Sequence, residues 1–96
     1  MKLYLVHCGF YDSEVCDGLY EGHVNYFVVA KLFEEAKANI KELFEFKNKK
    51  MHIDGLQEIR CVNGHKINLV YDVTSIGETQ IINYKHRELA HKEIKE

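Results

Sequence analysis

Two short patterns of histidine and carboxylate residues are the positions best suited to chemistry in this sequence. Glu21 and His23 are separated by one glycine, and His52 and Asp54 are separated by one isoleucine. In an extended chain, residues two apart point to the same side, so each pattern presents an imidazole beside a carboxylate. A carboxylate that contacts one ring nitrogen fixes the tautomer and raises the basicity of the other nitrogen, as a general base or a metal ligand requires.

The same pairs also have a structural interpretation, in which an imidazole–carboxylate hydrogen bond holds a loop in place. If the two segments are neighbours in the fold, all four side chains converge on one spot, with His7 or His65 as additional members. Metal binding by the four residues is chemically feasible, but Glu-x-His and His-x-Asp are weak metal motifs. We therefore predict no metal site from the sequence and leave the cofactor unassigned.

Aromatic residues provide a second set of candidates. Phe10, Tyr11 and Tyr20 lie in or beside a glycine- and aspartate-containing segment that is typical of a loop. An aromatic ring in such a loop can stack on a planar ligand, and all three are candidate ligand-binding residues. The structural alternative is that the rings pack the loop onto the sheet.

The elements that must position these residues can be predicted from hydrophobic patterns. Lys2–Cys8 is expected to form a central strand that ends at Gly9, and His23–Ala30 a second strand. Leu32–Phe46 is predicted to be the main helix, although it begins without a good capping residue. Its apolar stripe consists of Phe33, Ala36, Ile40, Leu43 and Phe44.

The second half of the chain is predicted to contain a hairpin and a polar tail. Met51–Asp54 resembles a short extended segment, and Asn63-Gly64 predicts a tight turn between Leu56–Val62 and His65–Tyr71. Thr79–Tyr84 is a candidate edge strand, followed by a polar helix or tail at His86–Glu96. The predicted class is α+β: an antiparallel or mixed sheet of about four to five strands with one main helix packed on one face.

Composition narrows the class of protein. The 96 residues, with no proline, suffice for one domain, which we place at residues 1–72 with a C-terminal extension at 73–96. The formal net charge of −2 provides no basic surface for a nucleic-acid polymer. Three cysteines without metal-like spacing indicate a reducing compartment, and no apolar run is long enough for a membrane span. A cytoplasmic protein is expected.

The order of the motifs resembles a small family of uncharacterised, mostly proteobacterial proteins classified as a domain of unknown function. The resemblance spans about residues 2–70. It rests on the order of five motifs along the chain: Gly9-Phe10-Tyr11, Glu-x-His before Phe27–Ala30, Glu34-Glu35-Ala36, His-x-Asp, and the hairpin with Val62, Gly64 and Ile67. It implies a fold unit and no known activity.

This chain departs from the family pattern at several positions. Phe10 stands where a second glycine is usual, and His65 stands where a tyrosine usually follows the hairpin glycine. Because an imidazole can also stack, His65 joins the candidate ligand-binding residues. Members can carry two copies in one chain, so a single copy is expected to pair with itself, and a homodimer is a hypothesis.

The leading functional hypothesis is a small binding module for a small molecule or a protein partner. Its site would comprise the Gly9–His23 loop and the His52–Asp54 segment. One alternative is an enzyme that uses His23 or His52 as a general base, with Glu21 and Asp54 as orienting groups, on a phosphate- or carbonyl-containing substrate. Another alternative is a structural dimerisation module.

Overall fold

A computed structural model of the chain describes residues 1–93, and its centre is a three-stranded antiparallel sheet. The strands are β1 (Lys2–Tyr11), β2 (Glu21–Ala30) and β3 (His52–Ile59), in the order β2-β1-β3. Because β2 and β3 are both antiparallel to the central strand, they run parallel to each other on its two sides. The connection between them must therefore cross the sheet, and two helices lie in that connection.

The crossover contains two short helices, α1 (Phe33–Lys41) and α2 (Phe44–Asn48). The single helix predicted at Leu32–Phe46 is therefore wrong in one respect: Leu43 has an extended conformation, with φ −63° and ψ 136°, and separates the two. The missing cap is confirmed, since Leu32 makes no side-chain capping bond. Instead, the backbone N–H of Lys31 donates to Oε2 of Glu35.

The core lies between one face of the sheet and α1. Its buried residues are Tyr4, Val6, Cys8, Ala30, Ala36, Ile40 and Met51. Only Ala36 and Ile40 of the predicted apolar stripe are buried, whereas Phe33, Leu43 and Phe44 are exposed. The stripe was predicted for one continuous helix, whereas the extended conformation of Leu43 interrupts it before Phe44.

The predicted turn at Asn63-Gly64 is confirmed, because both residues have positive φ, 50° and 78°. It joins β4 (Cys61–Val62) and β5 (His65–Lys66), which form a separate two-stranded sheet. The predicted partner strands Leu56–Val62 and His65–Tyr71 are too long, since residues 56–59 belong to β3 of the main sheet. The predicted α+β class is confirmed, with five strands divided between two antiparallel sheets.

The C-terminal region differs most from the expectation. The predicted strand at Thr79–Tyr84 is wrong, because these residues adopt no regular structure and are exposed. A 3-10 turn at Val73–Ser75 and a short helix, α3 (His86–Leu89), are the regular elements described after β5. The end of the predicted His86–Glu96 segment, residues 94–96, lies outside the described residues. No helix in residues 1–93 is long and apolar enough to cross a membrane.

Candidate functional site

The topology brings the starts of two strands to the same end of the sheet. Because β2 and β3 are parallel to each other, their first residues both lie beside the last residues of β1. Glu21 and His23 stand at the start of β2, and His52 and Asp54 at the start of β3. The crossover thus places the two imidazole–carboxylate patterns on either side of one central strand.

Gly9 is the central residue of this arrangement. It pairs with His23 on one side and with His52 on the other. A break in the β1–β3 register between His7 and Cys8 leaves Asp54 as an additional residue on β3, which is a β-bulge. Asp54 lies beside both imidazoles.

The four side chains of Glu21, His23, His52 and Asp54 make direct contacts, and we call this group the His–carboxylate cluster. Nε2 of His52 lies 2.8 Å from Oε1 of Glu21 and 3.0 Å from Oδ1 of Asp54. Nε2 of His23 lies 3.4 Å from Oε1 of Glu21 and 3.4 Å from Oδ2 of Asp54. Each imidazole therefore contacts both carboxylates through the same ring nitrogen.

The absence of a side chain at Gly9 makes room for the cluster. A Cβ atom placed there would collide with Oε1 of Glu21 and would lie 2.6 Å from Nε2 of His52 and 2.7 Å from Oδ2 of Asp54. Gly9 was predicted to end the first strand, but β1 continues to Tyr11. At this position the glycine allows the neighbouring side chains to approach closely, and it does not form a turn.

A third histidine extends the cluster along the same face. The ring of His7 stacks on that of His23, with centroids 4.8 Å apart and an interplanar angle of 11°. Nδ1 of His7 contacts Oδ1 of Asn25 at 2.6 Å. Sequence reasoning named His7 as an addition but missed Asn25, although the polar residues at positions 21, 23 and 25 alternate along β2 and could have indicated it.

The sheet face that bears the cluster is opposite the core, and we call it the open face because no described helix covers it. Its members alternate along each strand with the residues that face α1. The four side chains are between 29% and 47% exposed. Solvent and ligands can therefore reach them directly.

The aromatic candidates lie in different places. Phe10 is on the core side, where its ring covers Gly22 and the Nζ of Lys49 lies 4.7 Å from the ring centroid. Tyr11 is exposed and pairs with Glu21, so strand alternation places it on the open face beside the cluster. Tyr20 is exposed in the loop before β2.

His65, the remaining ligand-binding candidate, lies in the hairpin outside the cluster. Its Nδ1 is 2.9 Å from the backbone oxygen of Asn63 in the same turn. The structure therefore brings Glu21, His23, His52 and Asp54 together and separates Phe10 and His65 from them.

Cys8, next to Gly9, faces the core. Burial raises the pKa of its thiol, and the negative charge of Asp54 raises it further. Both causes favour the neutral thiol, which is a weak nucleophile. The side chain fills space in the core and does not add a reactive group to the open face.

A groove lies between α1 and the edge of β3. Its volume is about 590 Å³, and it is lined by Lys37 and Lys41 of α1, by Phe46 and by residues 51–56. His52 and Asp54 belong to both the groove and the cluster.

Comparison with known proteins gives a family and no activity. The profile of DUF1543, described as a Domain of Unknown Function, matches residues 18–69, just over half of the chain. The chain belongs to the DUF1543 family. No curated protein and no solved structure matches it. The DUF1543 match includes all four cluster residues, while Gly9 and His7 precede it.

Proposed function

We propose that this DUF1543 protein is a small binding module whose site is the His–carboxylate cluster on the open face. One observation carries the proposal: four polar side chains from two strands converge with N–O distances of 2.8–3.4 Å. Because no described helix covers the face, these groups are accessible and do not serve to fill a core. A few convergent polar groups fix the orientation of a ligand in its site.

The charge of the cluster defines the kind of ligand. Two carboxylates lie together, and imidazoles add either lone pairs or N–H donors. Such a set attracts positive charge and hydrogen-bond donors and repels anions. Tyr11, exposed beside Glu21, is in a position to contact the ligand from the end of β1. The expected ligand is a cation or a small molecule with a cationic head.

A two-part ligand screen tests this function. Metal-free protein is titrated with small amines and guanidines in the presence of EDTA and, separately, with divalent ions without EDTA. A ligand should move the histidine ring signals in ¹H–¹⁵N spectra and raise the Tm by mass action. His52→Ala should abolish both effects, whereas the control His65→Ala should retain them. If no member of either series moves the rings, the binding function is refuted.

An enzymatic function is the second candidate, and the close contact between His52 and Glu21 favours it. A carboxylate 2.8 Å from one ring nitrogen orients the imidazole as general-base catalysis requires. In this arrangement Nδ1 of His52 would receive the proton. Hydrolysis of phosphate or carboxylate esters that is lost in Glu21→Gln and His52→Ala would support this candidate.

Self-association with a second copy is the third candidate. The open face beyond the cluster is apolar and includes Leu3, Leu5, Phe27, Val29 and Ile59. Phe27 and Val29 are 49% and 44% exposed, and an apolar sheet face of this kind favours contact with a partner. Light scattering after size exclusion tests it: a mass near 11 kDa, that of one chain, would exclude the homodimer.

A further inference from the structure

The His–carboxylate cluster contains a set of three ligand atoms whose mutual distances fit a metal ion. Oε1 of Glu21 and Oδ1 of Asp54 lie 2.8 Å and 3.0 Å from Nε2 of His52. One ligand atom from each of these three residues lies within 4.8 Å of the other two. We call these residues the triad. All three come from the first residues of β2 and β3, which the antiparallel pairing with β1 holds in register.

Coordination geometry requires distances of this size. Carboxylate oxygens and imidazole nitrogens bind zinc and similar ions at about 2.1 Å. Adjacent ligands of an octahedral ion are then about 3.0 Å apart, because that edge is about 1.4 times the bond length. The two N–O distances in the triad, 2.8 Å and 3.0 Å, are close to this edge length. An ion could enter after small side-chain rotations and without movement of the strands.

The charges around the triad also favour a cation. Glu21 and Asp54 place two carboxylates in one cluster, and a divalent ion would balance both. In its neutral form, His52 has one lone pair to offer. His23 contacts the same two carboxylates, at Oε1 of Glu21 and Oδ2 of Asp54 and at 3.4 Å each, and can hold them in place by donating its Nε2–H. The stacked ring of His7 and its contact with Asn25 further restrict His23.

The backbone beneath the triad provides an independent indication. Gly9 lies between the two strands, and any larger residue would occupy the space where Glu21, His52 and Asp54 meet. The missing side chain thus lets three potential ligand atoms approach one point above the central strand.

We propose that Glu21, His52 and Asp54 bind one divalent transition-metal ion, with open positions that face solvent. The proposal rests on the binding function above and specifies its ligand. The combination of one imidazole with two carboxylates suits Mn²⁺, Fe²⁺, Co²⁺ and Zn²⁺ better than Ca²⁺ or Mg²⁺, which prefer all-oxygen sites. The remaining coordination positions would hold water or a second, small ligand.

Metal titration of the full chain, stripped with EDTA and then freed of it, tests the proposal. Isothermal titration calorimetry with Zn²⁺ and Co²⁺ should give one equivalent per chain, with Co²⁺ producing visible absorption bands. Glu21→Gln and His52→Ala should each weaken binding at least about tenfold, since even the loss of an outer-shell partner has an effect of that size. The control His65→Ala should bind like wild type.

The outcomes separate this proposal from the broader binding function. If wild type binds neither ion at concentrations up to about 1 mM, or if Glu21→Gln and His52→Ala bind as well as wild type, the metal site is refuted. A response of the His23 and His52 rings to amines or guanidines in EDTA would then leave the binding function standing alone. If His52→Ala fails to fold, the nearly isosteric Glu21→Gln decides the question.

Discussion

The two faces of the central sheet are built from the same three strands and differ in almost every other respect. On the core face, Tyr4, Val6 and Cys8 of β1 are completely or almost completely buried, beneath Ala36 and Ile40 of α1. On the open face, the alternate residues of β1 include His7 and Gly9, beside the His–carboxylate cluster. One strand therefore contributes to both the core and the candidate site.

Because of this difference, we expect the core face to determine the stability of the protein and the open face to determine ligand binding. Burial of apolar surface on the core face is the main source of folding free energy in so small a domain. The open face has exposed polar groups whose mutual contacts are screened by water and add little stability. Substitutions on the core face should therefore change the free energy of unfolding, and substitutions around Gly9 should change ligand affinity.

The largest effect on stability is expected from Ile40→Ala on the core face. Ile40 is 3% exposed, and its removal leaves a cavity between α1 and the sheet. We expect a loss of about 2–4 kcal/mol in the free energy of unfolding, measured by urea denaturation. The control Phe44→Ala, at an 80% exposed position of α2, should change it by less than about 0.5 kcal/mol. Equal losses in the two variants would contradict the described core.

On the open face, Gly9→Ala should change binding more than stability. The new Cβ meets the ends of three exposed side chains, which can move aside at little cost but then no longer converge. We expect the ring signals of His23 and His52 to shift and the affinity for Zn²⁺ to fall at least about tenfold. Stability should change by less than about 1 kcal/mol.

Gly55→Ala is the matched control for Gly9→Ala. Gly55 pairs with His7 on the neighbouring strand, yet a Cβ there has no atom within 4 Å. In the Gly55→Ala variant, the ring signals of His23 and His52 and the affinity for Zn²⁺ should equal those of wild type. If both glycine variants behave alike, the space at Gly9 has no special role in the cluster.

Local patterns predicted most of the elements because they depend on nearby residues. The two strands before α1, the helical region and the Asn63-Gly64 turn follow from periodicity and turn chemistry. The strand at Thr79–Tyr84 was wrong because β-propensity cannot supply a partner strand. The end of β1 was misplaced because Gly9 was interpreted as a turn residue, although its missing side chain serves the cluster.

The candidate site was only partly predictable for a related reason. Spacing alone could pair Glu21 with His23 and His52 with Asp54, since residues two apart share a strand face. The two His–carboxylate pairs meet over Gly9 because the crossover makes β2 and β3 parallel to each other. Because β1 continues through Gly9, the alternation of side chains along the strand places Phe10 on the core face and Tyr11 on the open face.

A smaller effect on the core face is expected from Tyr26→Phe. The Tyr26 hydroxyl donates to Oε2 of Glu45 at 2.7 Å and connects β2 to α2. This hydrogen bond lowers the pKa of Glu45, although burial opposes the shift. Burial and the hydrogen bond raise the pKa of Tyr26. We expect a loss of about 0.5–1 kcal/mol at pH 7, reduced because the Glu45 side chain is about half exposed.

The pH dependence checks this assignment. A carboxyl group whose pKa is lowered by folding stabilises the protein above its unfolded pKa, which is near the ordinary value of 4.5 for Glu45. That contribution is lost as the pH falls through the lower, folded-state pKa. The gap in stability between wild type and Tyr26→Phe should therefore be full at pH 7 and narrow below about pH 4.5. Tyr71→Phe, at an exposed tyrosine, should show no such gap.

The smallest effect on stability, and the sharpest test of the difference between the faces, is expected from Glu21→Gln in metal-free protein. Glu21 and Asp54 place two negative charges near each other, so the removal of one relieves repulsion. At about pH 8, where imidazole groups are ordinarily neutral, this relief should offset the weaker contact with His52. The free energy of unfolding should change by no more than about 0.5 kcal/mol.

The sign of this change in the free energy of unfolding distinguishes a ligand site from a contact that only holds the two strands together. If the contact between Glu21 and His52 serves to hold β2 and β3 together, Glu21→Gln should destabilise the protein by more than about 1 kcal/mol, since a charge-assisted hydrogen bond is lost. If the cluster exists for a ligand, the variant should be as stable as wild type or more stable, because repulsion between unfilled ligand groups is relieved. Addition of Zn²⁺ should then stabilise wild type more than Glu21→Gln.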